Sequence, residues 1–392
     1  MTGKTTPSRA DAIQFIVCLG LVSLFADITY EGARSTTGPF LRALGSSAAQ
    51  VGLIVGLGEF LGFSLRLASG ILADRTRAYW TITLLGYGVN LVAVPMLAYA
   101  RNWPAAAALI VAERVGKSLR GPARDVLLSE AAVRVGRGWG FGLHSAMDQI
   151  GAVIGPLFMV WALARTRTYG PAFLFLAIPA ASALAALLMA RSYDITGQSK
   201  AHPKARVNEP IPRVFWIYMG AAGLLALGYV DFPLIAYHFG KTGLFSRTGI
   251  PLMYAIAMAM NGVTALIFGR LYDRYGLAVL SIGILVSLGG LPLSFLGGRE
   301  AAIAGIACWG TGMGAMDATL RSGISQIVHA DKRGRAFGLY NAAFGVAWFV
   351  GSTAMGLLYD RWVMGLVLIG VIAQAASALI FFALRRQLDQ SR

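Results

Sequence analysis

Carboxylates and cations recur at helical spacing inside long apolar runs of this 392-residue chain. Asp27, Glu31 and Arg34 stand at i, i+4 and i+7, so a helix places all three on one face. Glu59 and Arg66 are seven apart in the next run. Glu113, Lys117, Arg120 and Arg124 form a ladder along one stripe, with Arg114 beside it. His144, Asp148 and Gln149, then Asp231, then Asp317 and Arg321 follow in later runs. Such groups can exchange protons, hold cations or hold anions. At membrane depth each costs about 2.5–3.5 kcal/mol or more, so it normally faces a cavity or a partner. Glu113–Lys117 and Asp317–Arg321 read as i,i+4 pairs in the favourable order. Asp27, Glu59, Asp148 and Asp231 have no evident partner within their own run, which singles them out for proton or cation handling. Asp27 and Glu31, one turn apart, are the centre of that expectation: Arg34 would hold Glu31 ionised, leaving Asp27 the more easily protonated member, with Lys117 as its expected inter-helix partner.

The runs themselves dominate the composition. Hydrophobic residues make up 56% of the chain, charged residues 13%, and the mean hydropathy is +0.63. Soluble domains carry roughly 25% charged residues; a bilayer removes the need for them. Runs of about 20 residues are needed to cross the hydrocarbon. They fall near 13–34, 48–73, 79–100, 104–127, 138–164, 170–190, 214–240, 249–272, 276–297, 301–328, 333–360 and 363–384. The fold class is therefore all-α membrane protein, with about twelve transmembrane helices. The first run holds Asp27 and Glu31 and lacks a clear cleavage site, so it reads as a span and not as a signal peptide. Counting about 1.5 Å per residue from Ile13 puts Asp27 about 21 Å and Glu31 about 27 Å into it.

The formal charge of +16 does not indicate a nucleic-acid binder, because Lys and Arg are spread through short loops and form no single patch. Cys18 and Cys308 have no disulfide or zinc spacing, and the four histidines are scattered. No phosphate-binding glycine loop or nucleophile constellation is present, so neither an enzyme nor a cofactor is expected. Alternate loops differ in charge. One set carries Arg75, Arg77, Arg134, Arg137, Arg191, Lys200, Lys204 and Arg274 among others; the sparser set carries Arg42, Arg101, Arg165, Arg167, Lys241, Arg247, Arg299 and Arg361. The richer side is the cytoplasmic one, which puts both termini inside.

The longest polar stretch, 192–213, contains Pro203, Pro210 and Pro212 and reads as a cytoplasmic linker. It separates an N-terminal six-helix bundle, 1–191, from a C-terminal one, 214–392. The halves repeat. Gly70-Ile-Leu-Ala-Asp74-Arg75 after the second run matches Gly269-Arg-Leu-Tyr-Asp273-Arg274 after the eighth. Gly138-Trp-Gly-Phe-Gly-Leu143 matches Gly334-Arg-Ala-Phe-Gly-Leu339, and Leu119-Arg120 matches Leu320-Arg321. Paired repeats around a central substrate site are an architecture of secondary transporters.

These motifs resemble the major facilitator superfamily over essentially the whole chain. That family's Gly-x-Leu-Ala-Asp-Arg-x-Gly-Arg motif is matched by Gly70 to Arg77 without its later glycine, and the second copy keeps that glycine at Gly276. The resemblance implies two pseudo-symmetric six-helix bundles, with the first, fourth, seventh and tenth helices lining a central cavity. It implies a gate at Gly70, Asp74 and Arg75, repeated at Gly269, Asp273 and Arg274, and a role for Arg114 near a proton site. Gly151-x-x-x-Gly155-Pro156 resembles the antiporter motif of the family's exporters, and serves equally as a packing motif.

The expected function is secondary active transport: proton-coupled antiport, with efflux of a small organic compound by alternating access. Two other substrates remain open. One is a divalent metal cation held by Asp27, Glu31, Glu59, Asp231 and His238, with the metal itself unknown. The other is an anionic metabolite or lipid headgroup held by Arg34, Lys117 and Arg120. A non-transporting membrane receptor would not need so many intramembrane charges. The expected setting is a monomer in a bacterial cytoplasmic (inner) membrane, whose partners are the lipid bilayer, protons and its solute. Cysteines substituted for Thr2 and Gln390 should both be labelled by an impermeant thiol reagent only from the cytoplasmic side. Labelling from opposite sides would rule out an even number of crossings.

Overall fold

The computed structural model describes residues 8–193, 211–329 and 332–390. Residues 194–210 of the expected linker lie outside the described residues. In chain order the helices are α1 (Arg9–Arg34), α2 (Thr37–Ala43), α3 (Ala48–Thr76), α4 (Tyr79–Met96), α5 (Trp103–Ala132), α6 (Arg137–Thr166), α7 (Tyr169–Phe175) and α8 (Ala177–Ser192). The second half continues with α9 (Arg213–Gly228), α10 (Phe232–Thr242), α11 (Gly249–Tyr275), α12 (Ala278–Ser287), α13 (Gly290–Phe295), α14 (Arg299–Ile327), α15 (Arg333–Arg361) and α16 (Val363–Gln390). Among the described residues no strand occurs.

Ten of these segments are long and apolar enough to cross a bilayer: α1, α3, α4 with its following turn, α6, α7–α8, α9–α10, α11, α12–α13, α15 and α16. α5 and α14, of 30 and 29 residues, complete the set of twelve. They are the less apolar pair because α5 carries the Glu113 to Asp125 charges, and α14 carries Asp317, Arg321 and several glycines. The surface is apolar where a soluble protein's would be charged: Leu266, Leu379 and Ile372 are 79%, 71% and 64% exposed, while Asp27, Glu31 and Asp231 are buried. That inversion is the arrangement a lipid solvent selects.

Local sequence starts two of the helices. Ser8 and Asp11 cap α1 reciprocally: Ser8 N–H donates to Asp11 Oδ2 at 2.7 Å, and Asp11 N–H to Ser8 Oγ at 3.2 Å. Ser47 and Gln50 do the same for α3, at 2.8 and 3.2 Å. Asp360, near the end of α15, accepts from the backbone N–H groups of Ala48 and Ala49 at 3.3 and 2.8 Å. A carboxylate there also complements the helix dipole. The two repeat motifs end α3 and α11, and each is followed by a positive-φ residue: Arg77 at 54° and Gly276 at 60°. Arg77 stands where the second copy has its glycine, and takes a positive φ there without being a glycine.

Three expected single spans are interrupted. α7 and α8 meet at Leu176, and α12 and α13 are separated by Leu288 and Gly289. The seventh span breaks between Gly228 and Phe232, where Tyr229 and Asp231 are extended (ψ 112° and 142°). Pro233 at the second position of α10 explains the break, since it has no N–H to offer the Tyr229 carbonyl four residues earlier and its ring crowds that carbonyl.

The helices cluster into two compact units. One comprises the described residues of Met1–Ala33, Leu65–Ala100 and Ala108–Pro203; the other those of Arg34–Ser64, Arg101–Ala107 and Lys204–Arg392. Within the second unit, α2 packs on α10 and the first part of α3 packs on α15. Within the first, α6 lies hard against α1. A Cβ on Gly151 would stand 2.5 Å from Leu24 O and 2.8 Å from Asp27 Cβ, and one on Gly155 2.7 Å from Ile28 O. The antiporter-like glycines thus set the α1–α6 spacing beside Asp27. Gly151→Ala should lower the melting temperature of the detergent-purified protein by forcing the helices apart, at about 1–3 kcal/mol. Gly142→Ala, where the added methyl meets open space, should not. Equal melting of the two variants would show that the spacing is not fixed there.

Candidate functional site

Each unit holds its own cluster of buried charge. In the first unit, α1 contributes Asp27, Tyr30 and Glu31, α4 Tyr87 and Asn90, α5 its ladder, and α6 His144 and Asp148. Tyr30 donates its hydroxyl to Asp27 Oδ1. Lys117 Nζ lies 3.8 Å from Glu31 Oε1 and 3.7 Å from the centre of the Tyr30 ring. Arg120 stacks on Tyr87, with Cζ 4.0 Å from the ring centre, and stands 5.7 Å from that of Tyr30. Asn90 Nδ2 donates to Glu113 Oε1 at 2.9 Å, while Glu113 Oε2 meets Arg114 Nε at 3.3 Å. Arg124 holds Asp125 at 2.8 Å and donates to Ser23 Oγ at 3.1 Å; Ser23 Oγ also meets His144 Nε2 at 2.9 Å.

Several expected pairings change. Glu113 and Lys117 do not pair, because Asn90 and Arg114 occupy Glu113 and Glu31 draws Lys117 across to α1. Lys117 takes Glu31 as its ion-pair partner, not Asp27. Asp148 does have a partner in its own helix: His144 Nδ1 is 3.5 Å from Asp148 Oδ2, one turn away. Sequence reasoning missed Tyr30, Tyr87 and Asn90. Tyr30 was legible as the residue at i+3 from Asp27; the α4 residues were not, because nothing local shows which face of α4 meets α5.

In the second unit, Arg34 Nη2 lies 2.9 Å from Glu59 Oε1 and 3.5 Å from Asp231 Oδ1. Asp231 sits at the break of the seventh span as the N-cap residue of α10. Its Oδ2 accepts from Trp348 Nε1 at 2.9 Å and from the Ser352 hydroxyl. The carbonyls freed by the break are also used: Gly228 O accepts from Gln374 Nε2 at 2.9 Å, and Val230 O from Trp309 Nε1 at 2.8 Å. Irregular backbone inside a bilayer persists only when such groups are satisfied. Elsewhere, Asp317 Oδ2 accepts from Asn261 at 2.9 Å, and Arg321 is exposed. His238 Nδ1 is 3.0 Å from the Tyr359 hydroxyl. Among the described residues no three His, Cys, Asp or Glu side chains are placed to share a metal ion.

The gate residues lie at helix ends. Asp74 and Arg75 on α3 and Asp273 and Arg274 on α11 are exposed, and neither Asp74 nor Asp273 makes an ion pair or hydrogen bond among the described residues. Gly70 faces Pro122 and Gly269 faces Ala318, both at ordinary contact distance.

Comparison with known proteins fits this architecture. The model of the Major Facilitator Superfamily matches residues 19–352, with a second match at 214–391. The uncharacterized protein Rv2265 of Mycobacterium tuberculosis is 38% identical over 391 residues, covering 98% of this chain and 95% of that protein. The uncharacterized MFS-type transporter MJ1317 of Methanocaldococcus jannaschii is 23% identical, covering 91% of each. Among solved structures, a POT family transporter superposes with a TM-score of 0.75 at 14% identity, covering 95% of this chain and 96% of its own. A bacterial homologue of the lysosomal transporter Spinster superposes at 0.71 and 14%, covering 99% of each. The chain belongs to the major facilitator superfamily. It is an integral membrane protein with the fold of that family's transporters.

The Arg34 cluster makes a direct stability test. Arg34→Met leaves the buried Asp231 and the half-buried Glu59 without their shared cation, and should destabilise the protein by about 3–5 kcal/mol. Adding Asp231→Asn should recover part of the loss. Thermal unfolding in detergent reads both, and an Arg34→Met variant that melts like the parent would show the cluster to be solvated.

Proposed function

We propose that the protein is a proton-coupled secondary transporter that exports a small organic compound by alternating access, with Asp27 as the coupling carboxylate. The observation that carries this reading is the environment of Asp27. It is buried on α1, accepts from Tyr30, and makes no ion pair among the described residues, while Lys117 on α5 pairs with Glu31. Tyr30 and Glu31 on α1, Lys117 and Arg120 on α5, and Asp148 on α6 are the charged or titratable groups around it. A carboxylate buried without its own ion pair is stable when protonated and needs a counter-charge or water when ionised. A group with that property can bias two conformations by its protonation state.

In this reading bundles 1–191 and 214–392, joined by 192–213, move against each other. Gly70, Asp74 and Arg75, with Gly269, Asp273 and Arg274, gate the cytoplasmic mouth. Glu59, Asp231 and Arg34 tie the opposite end, and Glu113, Arg114, Asp148, Asp317 and Arg321 serve the translocation path. A nucleoside transporter and a POT family peptide transporter are among the similar solved structures, which is in keeping with an organic solute. The export direction rests on the likeness of Gly151 to Pro156 to an antiporter motif.

The test is transport by Asp27→Asn in proteoliposomes, using a solute found by screening the parent for pH-gradient-driven movement. The variant should fold and bind that solute, yet lose pH-driven accumulation. Full pH-dependent accumulation by Asp27→Asn would remove Asp27 from the coupling step.

A further inference from the structure

Among the described residues, six of the ten buried polar side-chain atoms that lack a hydrogen-bond partner lie in the first unit. Thr83 Oγ1, Tyr87 OH and Asn90 Oδ1 on α4, Arg120 Nε and Nη1 on α5, and Asp148 Oδ1 on α6 all belong to the first unit. Arg120 is the anomaly. Its neighbours on α5 are each matched to a carboxylate: Arg114 to Glu113, Lys117 to Glu31, and Arg124 to Asp125. Arg120 is 2% exposed and makes no hydrogen bond or ion pair among the described residues. Stacking on Tyr87 steadies its positive face but leaves the in-plane N–H groups unused. Unlike a buried lysine or carboxylate, a guanidinium cannot shed its charge to relieve burial. The Tyr87 hydroxyl beneath it is a second buried polar group without a partner. What this pair lacks is an acceptor.

We propose that Arg120 and Tyr87 form a binding subsite for an oxyanion, the carboxylate or phosphate group of the transported solute. The planar guanidinium fork matches two oxygens of such a group, and the phenol adds a third donor. Arg120 lies one turn from Lys117, and both face the Tyr30 ring, so the anion binds beside the Asp27 cluster. This assignment rests on the transporter reading and narrows it to anionic solutes.

The experiment is binding to the full chain in an uncharged detergent, read by the melting temperature at constant ionic strength. The probes are benzoate, inorganic phosphate and oleoyl-lysophosphatidate, with chloride and the neutral benzamide as references. At least one oxyanion should raise the melting temperature above both references; which of the three does so separates a carboxylate, a free phosphate and a lipid phosphate. Arg120→Lys and Tyr87→Phe should each weaken that binding by about tenfold or more, as expected for losing a hydrogen bond to a charged group. Tyr87→Phe retains the ring under the guanidinium, so it carries the test even where Arg120→Lys fails to fold. The proposal is overturned if no oxyanion exceeds chloride, or if Tyr87→Phe binds as tightly as the parent. Binding in detergent needs no translocation. Lost oxyanion binding with intact pH-driven transport rejects only this subsite, while oxyanion binding without any transport rejects only the transporter reading.

Discussion

A charge held inside hydrocarbon must find a counter-charge, a hydrogen-bond donor or water, and that requirement organises the interior of this protein. Glu31 reaches from α1 to Lys117 on α5, and Arg34, at the end of the same helix, reaches Glu59 on α3 and Asp231 at the break of the seventh span. The first helix thus carries one anchor into each unit. Asp27, Glu31 and Arg34, within eight residues of one another, are the points on which the two clusters are built.

The same requirement governs the backbone. The seventh span can open at Tyr229 to Asp231 only because Gln374 and Trp309 take up the exposed carbonyls, and Trp348 and Ser352 bind the carboxylate placed there. A polar break of this kind gives a transport protein a fixed carboxylate at depth without a free peptide group facing lipid. Helix ends show a matching economy. Asp360 covers the start of α3, whereas Asp74 and Asp273, which occupy equivalent places in the two repeat motifs, stand exposed. Carboxylates at helix ends are therefore used unequally in the conformation described.

This compensation is incomplete in two places. Asp27 has a phenol and no ion pair of its own; Arg120 has two aromatic faces and no acceptor. Around them the other cations of α5 are matched one to one. Sites that a fold leaves electrically unfinished are those at which a proton or a ligand changes the energy most.

The sequence by itself determined the crossing segments, since length and hydropathy suffice when lipid is the solvent. It determined the capping boxes of α1 and α3, and the repeated Gly-x-x-x-Asp-Arg motif that marks the family. It also singled out Asp27, Glu31, Arg34 and Asp231, because ionisable residues are conspicuous in apolar runs. Only the tertiary structure decided who pairs with whom. Within a helix, Glu113 and Lys117 are suitable neighbours; the approach of α1 and α4 to α5 gives each a different partner. The break in the seventh span had a local cause in Pro233, yet its survival depends on α14, α15 and α16 supplying Trp309, Trp348, Ser352 and Gln374. The reason is one of range: hydropathy and capping act over a few residues along the chain, whereas a charge pair is set by distances between helices, which packing contacts such as Gly151 against Leu24 fix.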